Sequence, residues 1–295
     1  MIDYPGLHCF CEVLRYASFE RAAQALNLTQ SAVSQKVKRL EQQLGGPLLI
    51  RSKPLKPTPL GQQLLAHAQK VSMLEDSLYA RLGTENQAMP ITVAVNNDVL
   101  ATWFVDVLAS FSQSSNNLIH VYNADQSQTR TLLQQGDVVA CISQTGTPVT
   151  GGQSLRLGSM DYQLYASPEF IQRYLAEGIS AAAVMRAPGL LYDEYDLALL
   201  TEYQRACLGV LADTSHCHWY PSSHGFVKMA LSGTVAALLP TLQVQEELSA
   251  GRLVALFPDR ILQVPLFWHW YELNSPLLTL LTNTVKQVSR PLLNP

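Results

Sequence analysis

At 295 residues and 47% apolar side chains, the chain is long enough to bury two cores. Its 20 Lys and Arg against 23 Asp and Glu give a formal net charge of −3, which excludes a uniformly basic nucleic-acid binder. No apolar run reaches about 18 residues, the opening MIDYPGLHCFCEVL has neither a basic n-region nor a cleavage site, and five irregularly spaced cysteines make no disulfide framework, so a cytoplasmic chain without a membrane segment is expected.

The first helix is expected from about Tyr4 to Ala17, with Leu7, Phe10, Val13 and Leu14 on its inner face. Cys9 and Cys11 fall on this helix, where positions i and i+2 diverge, so they are not expected to share a metal. Ser18 then reads as an N-cap, followed by Phe19, Ala22, Ala23 and Leu26 at helical spacing. Asn27 and Leu28 break the pattern, and Thr29 can cap the next helix. There Val33, Val37, Leu40 and Leu44 make one apolar stripe. At about 100° per residue, Ser31, Gln35, Lys38 and Gln42 cluster on the opposite side, flanked by Ser34 and Arg39. With Gln30 at the start, this side offers hydroxyl, amide, ammonium and guanidinium groups and no acid, the groups that hydrogen-bond base edges and phosphates. The alternative is an ordinary solvated helix whose acid, Glu41, sits elsewhere.

The following stretch, PLLIRSKPLKPTPLG, supplies the apolar run Leu48 to Ile50 and then Arg51, Lys53 and Lys56 among prolines. That is the pattern of a β-wing with a basic tip placed against the sugar-phosphate backbone. Residues 1–58 carry eight basic and four acidic side chains, a net +4, which leaves −7 for the remainder. A basic head on an acidic body keeps the attraction for phosphate local.

The run AAQALNLTQSAVSQKVKRLEQQLGGPLLIR followed by PTPLG resembles the winged helix-turn-helix of the LysR-type transcriptional regulators, over residues 5 to about 85. The resemblance implies an α+β winged helix-turn-helix head, a long linker helix, and an α/β two-lobed periplasmic-binding-protein-like effector domain. The expected division is 1–58 for the head, 59–88 for the linker, and 89–295 for the effector domain, with lobe one at 89–160 and 266–295 and lobe two at 161–265. The expected DNA contacts are Gln30, Ser31, Ser34, Gln35, Lys38, Arg39, Arg51, Lys53 and Lys56.

Thr58 can cap the linker helix and Pro59 suits its first position. Leu64, Val71 and Leu78 repeat every seven residues, with Leu60, Leu74 and Leu82 close by and His67 and Arg81 interrupting. This is either an amphipathic helix lying on its own domain or a dimerising seam, and the resemblance supports the seam. The polar, aperiodic GTENQAMP of residues 83–90 marks a boundary.

From Ile91 the pattern alternates: strands ITVAV, LIHVY, VVACIS, LRLGSMDYQLYAS, GLLYD, HWYP, TVAALLP, LVALF and VPLFWHWYE. Helices are expected over Asp98–Phe111, Ser127–Gln135, Pro168–Ala176, Ser223–Ser232 and Thr241–Ser249. Repeated β-α-β units define an α/β domain with open sheets. With the resemblance, the chain is expected to leave lobe one near Met160 and return near Pro265. Ligands in such folds sit at strand carboxyl ends against helix N-termini. That rule selects Asn96, Asp98, Thr102, Asp125, Ser143, Asp193, Ser222 and Ser223, with hydroxyls for a carboxylate and acids for a cationic end. Asn, Asp and Ser are equally the ordinary helix caps, which leaves capping open at each position. His216-Cys217-His218 with His224 nearby fits no zinc spacing, and a structural role is expected there.

VAVNNDVLATW, LLQQGDVVACIS, LGSMDY and SSHGFVKMALSGTVAALLP resemble the branch of the family that senses lysine or arginine and controls amino-acid export or related genes. One departure is His224, where that branch carries an acid. The partners implied are double-stranded DNA, a small effector such as lysine or arginine, further copies of the chain in a homodimer or homotetramer, and RNA polymerase; no cofactor, metal or membrane is expected. The alternatives are a LysR-type regulator of another effector, a cytoplasmic solute-binding protein, or an enzyme. G-x-x-x-x-G-K-[ST], H-E-x-x-H and G-x-S-x-G are all absent from the sequence, so no enzyme is expected.

Overall fold

The structure, a computed structural model, describes residues 2–50, 52, 54–82, 90–125, 128–192, 197–273 and 275–295. The head begins with α1 (Tyr4–Tyr16), capped by the Asp3 carboxylate accepting from the Gly6 N–H at 3.1 Å. Ser18 caps α2 (Phe19–Ala25) and Thr29 caps α3 (Gln30–Leu44), each hydroxyl accepting a backbone N–H three residues on. Gly45, at φ 79°, ends α3 in the left-handed conformation that glycine adopts without strain. Val33, Val37 and Leu40 pack with Leu7, Phe10, Val13, Ala22 and Ala23 into one core, so the stripe read from the sequence is the buried side of α3. The Glu41 carboxylate accepts the Leu48 N–H at 2.8 Å and so fixes where the chain leaves α3. The wing follows as β1 (Leu49–Ile50) antiparallel to β2 (Lys56–Pro57), with Ile50 opposite Lys56. Thr58 caps the 24-residue helix α4 (Pro59–Leu82).

The effector domain runs β3 (Ile91–Val95), α5 (Asn97–Ala101), α6 (Phe104–Ser114), β4 (Ile119–Asn123), α7 (Thr129–Gln135), β5 (Ala140–Ser143) and the long β6 (Gly152–Ala166). Then come α8 (Pro168–Tyr174), α9 (Ala181–Arg186), β7 (Gly189–Leu191), α10 (Ala198–Ala206), β8 (Cys217–Trp219), α11 (Ser223–Leu231) and β9 (Ala237–Pro240). A 3-10 turn (Thr241–Gln243), α12 (Gln245–Ser249), β10 (Val254–Ala255), β11 (Leu262–Tyr271) and α13 (Pro276–Ser289) complete it. The main sheet has the order β10-β6-β11-β5-β3-β4, with β9 also on β6. The β-α-β alternation puts β3 parallel to both β4 and β5, while β6 and β11 are antiparallel partners from Leu262↔Tyr162 to Tyr271↔Gly152. These two strands run side by side between the lobes, with Met160 opposite Val264 and Ser159 opposite Pro265. In lobe two, β7 pairs in parallel with β8 and a bridge from Gly189 to Ala236 ties it toward β9. Beyond α13, Asn294 returns to the crossing: the Ser159 N–H donates to the Asn294 carbonyl at 2.7 Å, and the Asn294 N–H donates to the Ser159 carbonyl at 3.0 Å.

Three features differ from the sequence reading. The helix expected over Asp98–Phe111 is two helices, because the backbone leaves the helical region at Thr102 (φ −112°, ψ −85°) and Trp103 turns into the core. Helices α9, α10 and α13 were not anticipated. Helix α4 also buries residues against its own chain that the seven-residue repeat of Leu64, Val71 and Leu78 does not report. Leu64 and Ala68 belong to the head core, while Met73 belongs to the core of the effector domain. Between them, the Thr92 hydroxyl donates to the Gln69 side-chain oxygen at 3.1 Å, both residues being buried, and the Lys70 ammonium sits 3.8 Å from the centre of the Tyr271 ring. Leu74, Leu78, Tyr79 and Leu82 remain exposed on the second half of the helix.

The seat of α4 on lobe one depends on Gly136, just past α7. Its φ is +80°, and a Cβ there would lie 2.5 Å from the Ala66 Cβ. Gly136→Val is therefore expected to destabilise the chain by about 2–5 kcal/mol, from left-handed backbone strain plus overpacking. Denaturant unfolding measures this, and a loss under about 0.5 kcal/mol, the scatter of ordinary surface substitutions, would show that α4 does not rest there.

Candidate DNA-binding face and effector cleft

On α3, Gln30, Ser31, Ser34, Gln35, Lys38 and Arg39 are all exposed, and Lys56 is exposed on the wing. The Ser31 and Thr29 hydroxyls are 3.0 Å apart at the start of the helix. Among the described residues, neither Lys38 nor Arg39 is ion-paired, and the one acid of α3, Glu41, is turned to the wing. This side of α3 is thus cationic and hydrogen-bonding, with its charges unneutralised. Arg51 and Lys53, also expected on the wing, lie outside the described residues.

The second site lies between the lobes and is built on Asp98, in the first turn of α5. The Tyr162 hydroxyl, on β6, donates to Asp98 Oδ2 at 2.8 Å. The Ser223 hydroxyl, in the first turn of α11, donates to Asp98 Oδ1 at 2.9 Å and lies 3.3 Å from Gln243 Oε1. Gln243 in turn donates its side-chain N–H to the Ser223 carbonyl at 3.1 Å. Asp98 and Ser223, with Leu190, Leu191, Tyr192 and Phe226, border a cavity of ≈ 40 Å³. Burial pushes the Asp98 carboxyl above the usual carboxylate range, and the two hydroxyls pull it back only in part.

The other candidates are not gathered at this point. The Asn96 side chain is buried and caps α5, accepting the Val99 N–H at 3.1 Å. Thr102 donates back to the Asp98 carbonyl at 2.6 Å. Ser143 is buried against Thr145 and His269, its hydroxyl 3.0 Å from His269 Nε2. Ser222 caps α11 through the Gly225 N–H at 3.1 Å. Capping accounts for Asn96 and Ser222, the alternative left open by their residue types. The Asp125 carbonyl accepts from the Gln128 and Thr129 N–H groups, and its side chain is exposed. Asp193 lies outside the described residues, and His224 is exposed beside Ser223.

Two groups of the cleft were missed by sequence reasoning. Tyr162 reads as a strand aromatic, and nothing local marks its hydroxyl. Gln243 stands just past the carboxyl end of β9, where the rule that selected the other candidates could have found it. At the remaining cluster, His216 and His218 are exposed and burial pushes the Cys217 thiol up to about 11. Among the described residues, no group of three or more His, Cys, Asp or Glu is placed to hold a metal. No helix of the described residues is long and apolar enough to cross a membrane.

A helix-turn-helix with an open polar helix and a wing, joined by one helix to a two-lobed cleft, defines a DNA-binding transcriptional regulator with a sensing domain. Residues 6–62 match the family described as "Bacterial regulatory helix-turn-helix protein, lysR family", and residues 84–290 match "LysR substrate binding domain". The chain is 39% identical over 298 residues to the HTH-type transcriptional regulator ArgP of Pseudomonas fluorescens strain Pf-5, covering 100% of this chain and 99% of that one. It superposes on the crystal structure of ArgP from Mycobacterium tuberculosis with a TM-score of 0.82 at 34% identity, covering 100% and 99% of the two chains. It also superposes on full-length LysG from Corynebacterium glutamicum with bound effector Arg, with a TM-score of 0.70 at 29% identity, covering 98% and 99%. The chain belongs to the LysR family of transcriptional regulators.

Because folding raises the Asp98 pKa, the native state binds that proton more tightly than the unfolded chain does, and stability from this group falls as pH rises through the raised value. Asp98→Asn removes the titration. It is expected to raise the melting temperature near neutral pH, with the gain shrinking as pH is lowered toward the ordinary carboxylate value of about 4. Thermal unfolding across pH reads this, and identical curves for the two proteins would show that the buried carboxylate carries no such penalty.

Proposed function

We propose that this regulator senses a basic amino acid, lysine or arginine, in the cleft between its lobes and controls genes of amino-acid export or metabolism. The observation that carries this reading is the desolvated Asp98 carboxylate at the cleft wall, facing the N-terminus of α11. A carboxylate in that position suits an ammonium or guanidinium. The N–H groups at the start of α11 suit the carboxylate end of the same ligand. The structure of LysG with bound effector Arg supports the ligand class. No metal or cofactor enters this reading.

In the same reading the protein works in the cytoplasm as a dimer or higher oligomer, paired through Leu74, Leu78, Tyr79 and Leu82 on the exposed half of α4. Residues 1–58 form the DNA-binding unit, 59–88 the linker, and 89–295 the sensor, and RNA polymerase is the partner through which promoter binding acts. Gln30, Ser31, Ser34 and Gln35 read base edges, while Lys38, Arg39, Arg51, Lys53 and Lys56 hold phosphates.

Calorimetry of the full chain with L-lysine and L-arginine tests the sensor. Heat is expected with at least one of them, lost in Asp98→Ala without loss of non-specific DNA affinity. The absence of heat with both would reject the ligand class. For the head, Lys56→Ala should reduce the slope of log binding constant against log salt by about one unit. Gln35→Ala should instead cost about 1–3 kcal/mol on specific DNA only, and an equal loss on random DNA would remove Gln35 from base readout.

A further inference from the structure

The cleft is shut by a hydrogen bond between its own walls. Asp98 stands on α5, on the lobe-one side, and Ser223 on α11, in lobe two, yet the Ser223 hydroxyl reaches Asp98 Oδ1 at 2.9 Å. The cavity beside them, lined from lobe two apart from Asp98, is ≈ 40 Å³, room for a few waters at about 10–15 Å³ each. Ser223 is not needed as a helix cap, since the neighbouring Ser222 does that work. It is instead held in place by Gln243, which contacts both its carbonyl and its hydroxyl. The second oxygen of Asp98 is held by Tyr162 from β6, a strand shared by both lobes.

We propose that Ser223 is an exchangeable latch: its hydroxyl occupies the side of Asp98 that the cationic end of the effector takes, so binding requires Ser223 to leave. The identity of the effector rests on the function proposed above; the latch itself does not. The exchange is favourable because a cationic donor brings the carboxylate an opposite charge, which the neutral Ser223 hydroxyl lacks. Tyr162 stays on Oδ2 throughout and acts as a positioning residue that keeps the carboxylate aimed into the cleft. The latched form is binding-incompetent, so the apparent dissociation constant is raised by the inverse of the open fraction.

The test uses the full chain and three variants, Ser223→Ala, Ser223→Thr and Tyr162→Phe. Without ligand, hydrogen–deuterium exchange over residues 223–231 is expected to quicken in Ser223→Ala and to return toward the parent rate in Ser223→Thr, which restores the hydroxyl. With L-lysine and L-arginine, Ser223→Ala is expected to bind several-fold to about tenfold more tightly, Ser223→Thr close to the parent, and Tyr162→Phe more weakly. Weaker or unchanged binding in Ser223→Ala, with exchange unchanged, overturns the latch. If neither amino acid binds any of the proteins, the effector class has failed; the ligand-free exchange then decides, faster and hydroxyl-restored exchange upholding the latch and no difference rejecting it.

Discussion

Helix α4 is part of two cores at once, and the arrangement of the molecule depends on it. Within ten residues it gives Leu64 and Ala68 to the head and Met73 to the effector domain. The contact with lobe one is specific as well as apolar. A buried amide–hydroxyl bond joins Gln69 to Thr92, and the Lys70 ammonium lies over Tyr271, where burial lowers its pKa. A buried polar pair costs more to break than an apolar contact, since each half is then left desolvated and unpaired. These contacts tie α4 to lobe one as well as to the head, and lobe two is reached from lobe one through β6 and β11.

Asp98 shows the opposite economy. Among the described residues, the side chains donating to this carboxylate are the Tyr162 and Ser223 hydroxyls, and its burial makes the charged form costly. Proteins retain such groups where function needs an incomplete site. In the function proposed above, a ligand cation completes it.

Much of this was legible in the sequence, and the exceptions have physical causes. The caps Ser18, Thr29 and Thr58 and the apolar stripe of α3 are local signals, and all are where local rules put them. The repeat in α4 was legible as a repeat, but periodicity says which residues share a face and not what lies against it: Leu64 is in the head core, Leu78 is exposed, and Met73, off the repeat, is in the effector-domain core. The break at Thr102 was hidden because residues 98–111 are helical in pattern on both sides of it. Asp98 and Ser223 were each visible as strand-end candidates, but their bond spans 125 positions of chain, and no local pattern reports a contact at that range. Tyr162 was invisible for the same reason, its ring being ordinary strand filling and its hydroxyl defined only by what it meets.

The return of Asn294 to Ser159 bears on how the two lobes can turn. Two backbone hydrogen bonds, with an added bond from the Asn294 amide to Asp161 at 2.7 Å, lay a third peptide segment along β6 where it crosses between lobes. A bare pair of strands twists over its whole exposed length; a pair splinted on one side pivots at the end of the splint. The crossing between the lobes is thus braced at Ser159 from outside the β6–β11 pair, by a segment the chain supplies only after α13.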